Sequence, residues 1–147
     1  MGNGNMLTRE EIKKIIPHRE PILLIDEVCE MESGACIVAK YRVDPGLDIF
    51  RGHFPEEPLF PGVYTIECMA QSADILLLSM EQYAGKVPLF IGVDKVSFKA
   101  KITPGAELTI KSEIIKHNTE KAVAVCFSEV FLGGGLAASG EVALAMR

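Results

Sequence analysis

No two of the four cysteines (Cys29, Cys36, Cys68 and Cys126) form a CxxC pair, and none has a histidine at metal-ligand spacing. The usual sequence signs of a metal site or disulfide framework are therefore missing. A reduced, cytoplasmic setting without a bound metal is the simplest reading. No apolar run approaches the length needed to span a bilayer. The opening Met1–Gly2–Asn3–Gly4–Asn5 is polar and lacks the apolar core of a signal peptide. Positive charge is also short. The net charge of −5 argues against a general affinity for nucleic acid or anionic membrane. Internal repeats and low-complexity tracts are absent as well.

What remains is an ordinary globular composition. The chain has 147 residues, 48% hydrophobic and 24% charged, which suits a single domain over 1–147 with a sizeable core. Residues 1–6 are expected to be flexible. Thr8 and Glu11 have the spacing of a capping box, which predicts a short helix over 9–16, stopped by Pro17. Residues 22–28 form an apolar run that suits a buried strand. Glu32–Ser33–Gly34 is a turn signal, and 35–43 alternates, so the two runs predict a hairpin.

Pro61 and Gly62 open the main helix, expected over 63–80 and halted near Gly85. It is apolar on most faces, the mark of a buried helix. Three strands (107–116, 121–132 and 136–146) follow a fourth at 90–101, with short turns that imply antiparallel pairing. The expected fold is α+β: one long central helix wrapped by a curved antiparallel β-sheet, with apolar surface left over for self-association.

The chemistry gathers between Gly52 and Gln71. His53 heads a proline-punctuated segment, and an imidazole that titrates at roughly 6.5 is mostly free base at neutral pH. A lone loop histidine is most simply hydrogen-bonded to backbone, but this one has company. Glu67 falls in the second turn of the buried helix, where desolvation is expected to outweigh the helix dipole and yield a usable proton donor. Glu67, Gln71 and Asp74 stand at i, i+4 and i+7 on one face, so they line a cavity or need partners. Gln71 is placed to hydrogen-bond Glu67. The unpaired N–H groups of Gly62 and Val63 at the helix start suit an oxyanion, and glycine allows a substrate close approach. His18 and His117 read as structural or solvated. Prolines at Pro55, Pro58 and Pro61 suggest an extended polyproline-like path that keeps His53 away from the Glu67 of its own chain.

The order His53-Phe54-Pro55-x-x-Pro58-x-x-Pro61-Gly62-Val63, then Glu67 and Ala70-Gln71, resembles the (3R)-hydroxyacyl-[acyl-carrier-protein] dehydratases of the FabZ type. Ile16–Pro17–His18–Arg19 with Leu23–Leu24–Ile25–Asp26 upstream, and Gly92–Val93–Asp94–Lys95, Phe98 and Pro104–Gly105 downstream, extend the likeness over almost the whole chain. The resemblance implies a hot-dog fold and loss of water from a (3R)-3-hydroxyacyl thioester to the trans-2-enoyl product, in fatty acid biosynthesis. It assigns His53 as base and Glu67 as acid, with Gly62, Val63 and Gln71 binding substrate. It calls for no cofactor; the phosphopantetheine arm of acyl carrier protein belongs to the substrate. It also implies a homodimer, possible as a trimer of dimers, whose sites combine His53 of one subunit with Glu67 of the other.

Two positions depart from the family pattern. Glu20 stands where an aromatic is common, and Asp74 where a small residue is usual. The alternatives are a dehydratase–isomerase of medium chains, against which Glu67 argues because that branch carries aspartate, and a hot-dog hydratase or thioesterase. Lys95, Lys99 and Lys101 suit either an acidic carrier protein or a solvated strand.

Overall fold

The computed structural model describes residues 6–147, so the flexibility expected at the N-terminus falls, Met6 excepted, outside the described residues. The capping box forms: Thr8 and Glu11 exchange side-chain to backbone bonds at the start of α1, Arg9–Ile12. The helix proper is shorter than predicted. Beyond Ile12 the chain continues in turns that carry Ile16 into the core.

Six strands make one antiparallel sheet: β1 (Glu27–Glu32), β2 (Cys36–Arg42), β3 (Pro88–Phe98), β4 (Glu107–Asn118), β5 (Val123–Leu132) and β6 (Gly135–Met146). Their order across the sheet is β1-β2-β4-β5-β6-β3. The predicted hairpin is present as β1 and β2, but β1 begins at Glu27 rather than at Ile22. Leu23, Leu24 and Ile25 are buried as expected, in irregular backbone that crosses over the helix. β4, β5 and β6 run as consecutive antiparallel neighbours. The alternation in β2 and β4 turns Ile37, Ala39 and Tyr41, and Leu108, Ile110 and Ser112, inward.

These inward faces wrap α2, Gly62–Leu78, which is buried almost continuously from Cys68 onward and lies against β2, β4, β5 and β6. The wall is not fully apolar. Ser72 Oγ lies 2.6 Å from Ser112 Oγ, which is 2.7 Å from Ser128 Oγ, so helix and sheet share a buried hydroxyl chain. β3 is different. As an outer strand it exposes Leu89, Phe90, Ile91 and Val93.

Candidate active site

His53 follows a 3-10 turn over Asp48–Arg51. The segment after it is not the extended path expected. The Glu57 N–H donates to the Phe54 carbonyl at 3.1 Å, and the Leu59 N–H returns to the His53 carbonyl at 2.9 Å. Pro55 holds the second position of that tight turn, where its fixed φ is favoured. The His53–Phe54 peptide bond is cis, and the two rings stack with centroids 4.0 Å apart. His53 Nδ1 lies 3.0 Å from the Leu59 carbonyl. A carbonyl only accepts, so Nδ1 carries the proton and Nε2 keeps its lone pair.

His53 opens into a cleft of about 270 Å³, shared with Leu59, Phe60, Gly62, Phe98 and Lys101. Gly62, the first residue of α2, brings the start of that helix to the cleft. Tyr64 and Thr65 N–H groups close onto the Pro61 carbonyl, whereas those of Gly62 and Val63 donate to nothing among the described residues. Gly62 also serves packing: a Cβ there would meet the Phe98 ring at 2.9 Å. The close approach anticipated for a substrate is made, within this chain, by an aromatic side chain.

Glu67 is not in that cleft. Five residues along a helix turn the side chain by about 140° from Gly62, toward the polar face that also carries Gln71 and Asp74. Gln71 is fully buried and completely bonded. Its Nε2 donates to Glu67 Oε2 at 2.8 Å and to the Ile22 carbonyl at 2.7 Å, and its Oε1 accepts from the Leu24 N–H at 2.9 Å. The irregular segment over 22–25 thus clamps the orientation of Glu67 through Gln71. Glu67 is less desolvated than expected, with its side chain 24% exposed within one chain.

The structure brings His18, read from sequence as structural or solvated, against Glu67 and Asp74. His18 Nε2 lies 3.7 Å from Glu67 Oε2 and 3.6 Å from Asp74 Oδ2. Burial pushes the His18 imidazole down from its ordinary range, and the Glu67 carboxylate opposes this. Asp74 is 2% exposed, and burial holds its carboxyl well above the usual range, with Glu67 adding to the effect. The signal was available: an aspartate seven positions after Glu67 shares its face, and a buried aspartate needs a partner. Nothing local in the sequence identified that partner as His18. His117, the other histidine set aside, does have a structural place, with Nε2 2.6 Å from the Tyr83 hydroxyl.

The arrangement thus has two halves. One holds a basic imidazole nitrogen and free helix amides; the other holds a clamped carboxyl with a buried imidazole and acid behind it. No group of three or more potential metal ligands occurs among the described residues.

A model of the FabA-like domain family matches residues 16–141. A 3-hydroxyacyl-[acyl-carrier-protein] dehydratase FabZ of Clostridium beijerinckii is 51% identical over 113 residues, 76% of this chain and 80% of that protein. One from Ruminiclostridium cellulolyticum is 39% identical over 141 residues, 96% and 98% of the two chains. Among solved structures, the dehydratase heterocomplex ApeI:P from Xenorhabdus doucetiae matches with TM-score 0.78 at 17% identity, over 92% of this chain and 90% of that one. A conserved protein from Pseudomonas aeruginosa matches at 0.68 and 15%, over 92% and 98%. Likeness at such identity speaks for the fold, which is the hot-dog fold.

Proposed function

The chain belongs to the FabZ-type family of 3-hydroxyacyl-[acyl-carrier-protein] dehydratases, and from that membership we propose how its residues carry out the elimination. It is a hydro-lyase of fatty acid biosynthesis. The single observation that supports the residue assignment best is the hydrogen bond from His53 Nδ1 to Leu59, which leaves Nε2 free to act as a base.

Nε2 of His53 takes the proton from C2 of the (3R)-3-hydroxyacyl thioester. Negative charge then develops on the thioester oxygen, where the Gly62 and Val63 amides receive it at the positive end of α2. Glu67, held by Gln71, gives its proton to the C3 hydroxyl, which leaves as water. The product is the trans-2-enoyl thioester. Acid and base are both side chains, so the step balances without a metal or organic cofactor.

The two halves come from different subunits in this reading. The helix turns Glu67 away from the cleft of its own His53, and the apolar outer strand β3 offers the pairing edge for a second copy. A homodimer is the minimal unit, and a trimer of dimers is compatible with it. Acyl carrier protein delivers the substrate, with Lys101 at the mouth of the His53 cleft as one point of contact. No helix among the described residues is long and apolar enough to cross a membrane, and we place the reaction in the cytoplasm.

Hydration of a crotonyl thioester, followed by loss of its enone absorbance, tests the assignment in the reverse direction. The expected result is wild-type activity and a fall of about a thousandfold in His53→Ala. Activity that persists in His53→Ala would overturn the role of His53.

A further inference from the structure

Behind Glu67 lies a part of the site that the elimination described above does not use. Asp74 is a buried acid with one oxygen, Oδ1, that meets no partner, and the buried Nδ1 of His18 also meets none. Their remaining polar atoms converge. Asp74 Oδ2 and Glu67 Oε2 flank the same nitrogen, His18 Nε2, at 3.6 and 3.7 Å, so a small turn of the imidazole brings it within hydrogen-bond reach of each in succession. We propose that Asp74 is a positioning residue that keeps Glu67 supplied with a proton through His18. The inference rests on Glu67 being the acid of the dehydration.

Glu67 gives its proton to the departing hydroxyl and is left as a carboxylate. Asp74 passes its proton to His18 Nε2, and the imidazolium formed there sits between two carboxylates, which stabilise it. The Nε2 proton then moves to Glu67. Asp74, now ionised, regains a proton from solvent, to which the part-exposed His18 gives access. The C2 proton held by His53 leaves to solvent, so the cycle closes.

The charges around Asp74 make it the resting place of the shared proton, from which Glu67 draws a small, constant fraction. Glu67 faces it from its own helix, His18 from the segment between α1 and β1, and the Cys126 thiol from β5. Arg19 flanks His18 and helps return it to the neutral form. No cation among these lies against Asp74 to hold it ionised. Glu67, by contrast, has the Gln71 N–H to stabilise its carboxylate. Burial and the facing Glu67 therefore favour the protonated form of Asp74.

The consequence is a particular pH profile. An acid reloaded only from solvent loses about tenfold in rate per pH unit once it ionises. An acid fed by an internal donor retains a constant protonated fraction until the donor itself ionises.

Dehydration of a 3-hydroxybutyryl thioester, followed by the enone absorbance gained, measures this in the direction that needs Glu67 protonated. In Asp74→Asn the ratio of variant to wild-type kcat is expected to fall about fivefold or more from about pH 7 to about pH 9, with KM changed less than about twofold. His18→Gln, which leaves Asp74 in place but removes the link, is expected to show the same fall. A ratio that stays constant with pH in both variants, whatever its size, would mean a merely structural role and overturn the proposal. An inactive wild type would instead overturn the dehydratase reading beneath it.

Discussion

Gly62 meets two demands at one position. It lines the cleft of His53 with an N–H that has no partner among the described residues, and its missing side chain leaves room for the Phe98 ring. Phe98 is half exposed, so its ring can swing aside more cheaply than α2 can shift. In Gly62→Ala the gain in helix propensity, up to about 1 kcal/mol, offsets much of the packing cost. The ring, however, moves in the wall of the cleft. We expect a melting temperature within a few degrees of wild type and kcat/KM lower by about tenfold. A large loss of stability with unaltered kinetics would show that Gly62 serves packing alone. His53, Glu67, Gly62 and Gln71 stand out as candidates because each sits in a local pattern: a proline frame, a helix start, an i+4 pair. His18 does not. Its partners lie on α2, far along the chain, and only the folded crossing of 16–25 over that helix brings them together.

At the scale of elements, periodicity carried most of the fold. The apolar circumference of α2 required burial, and its one polar stripe marked the face that carries Glu67. Strict alternation placed β4 and the inward side of β2 correctly, because period two leaves no freedom in which face is buried. Two segments misled for physical reasons. Residues 22–25 are apolar like a strand, yet the Leu24 N–H and the Ile22 carbonyl bond to Gln71 rather than to a neighbouring strand. Their burial reports packing against α2, and an apolar run without alternation cannot separate the two cases. The proline-rich segment after His53 misled in the opposite way. Spaced prolines fix φ but not ψ, and the tight turn at Phe54–Glu57 uses Pro55 as readily as an extended path would. The separation of His53 from its own Glu67 therefore depends on the angular offset between two positions of α2, not on stiffness of the loop.

At the scale of the molecule, the proposed division of the site between subunits makes a prediction that no single variant can. Subunits carrying His53→Ala and subunits carrying Glu67→Ala are each expected to be inactive as homodimers. Mixed and allowed to exchange, equal amounts pair as about one half heterodimer, and each heterodimer holds one intact site of its two. The mixture should recover about a quarter of wild-type activity if pairing is random and the sites are independent. Its absence, with exchange confirmed by native mass spectrometry, would place both residues in one subunit's site.

The buried carboxyl of Asp74 also has a thermodynamic consequence for folding. Its folded pKa is raised above the unfolded value, so the folded state binds its proton more tightly than the unfolded chain does. The resulting contribution to stability is fully present below the unfolded pKa. It drains away as pH climbs from there through the raised folded pKa. Asp74→Asn removes this drain. Relative to wild type, its melting temperature should therefore improve steadily as pH rises, while its turnover deteriorates over the same interval. The same substitution would thus separate what the acid costs the fold from what it gives the site.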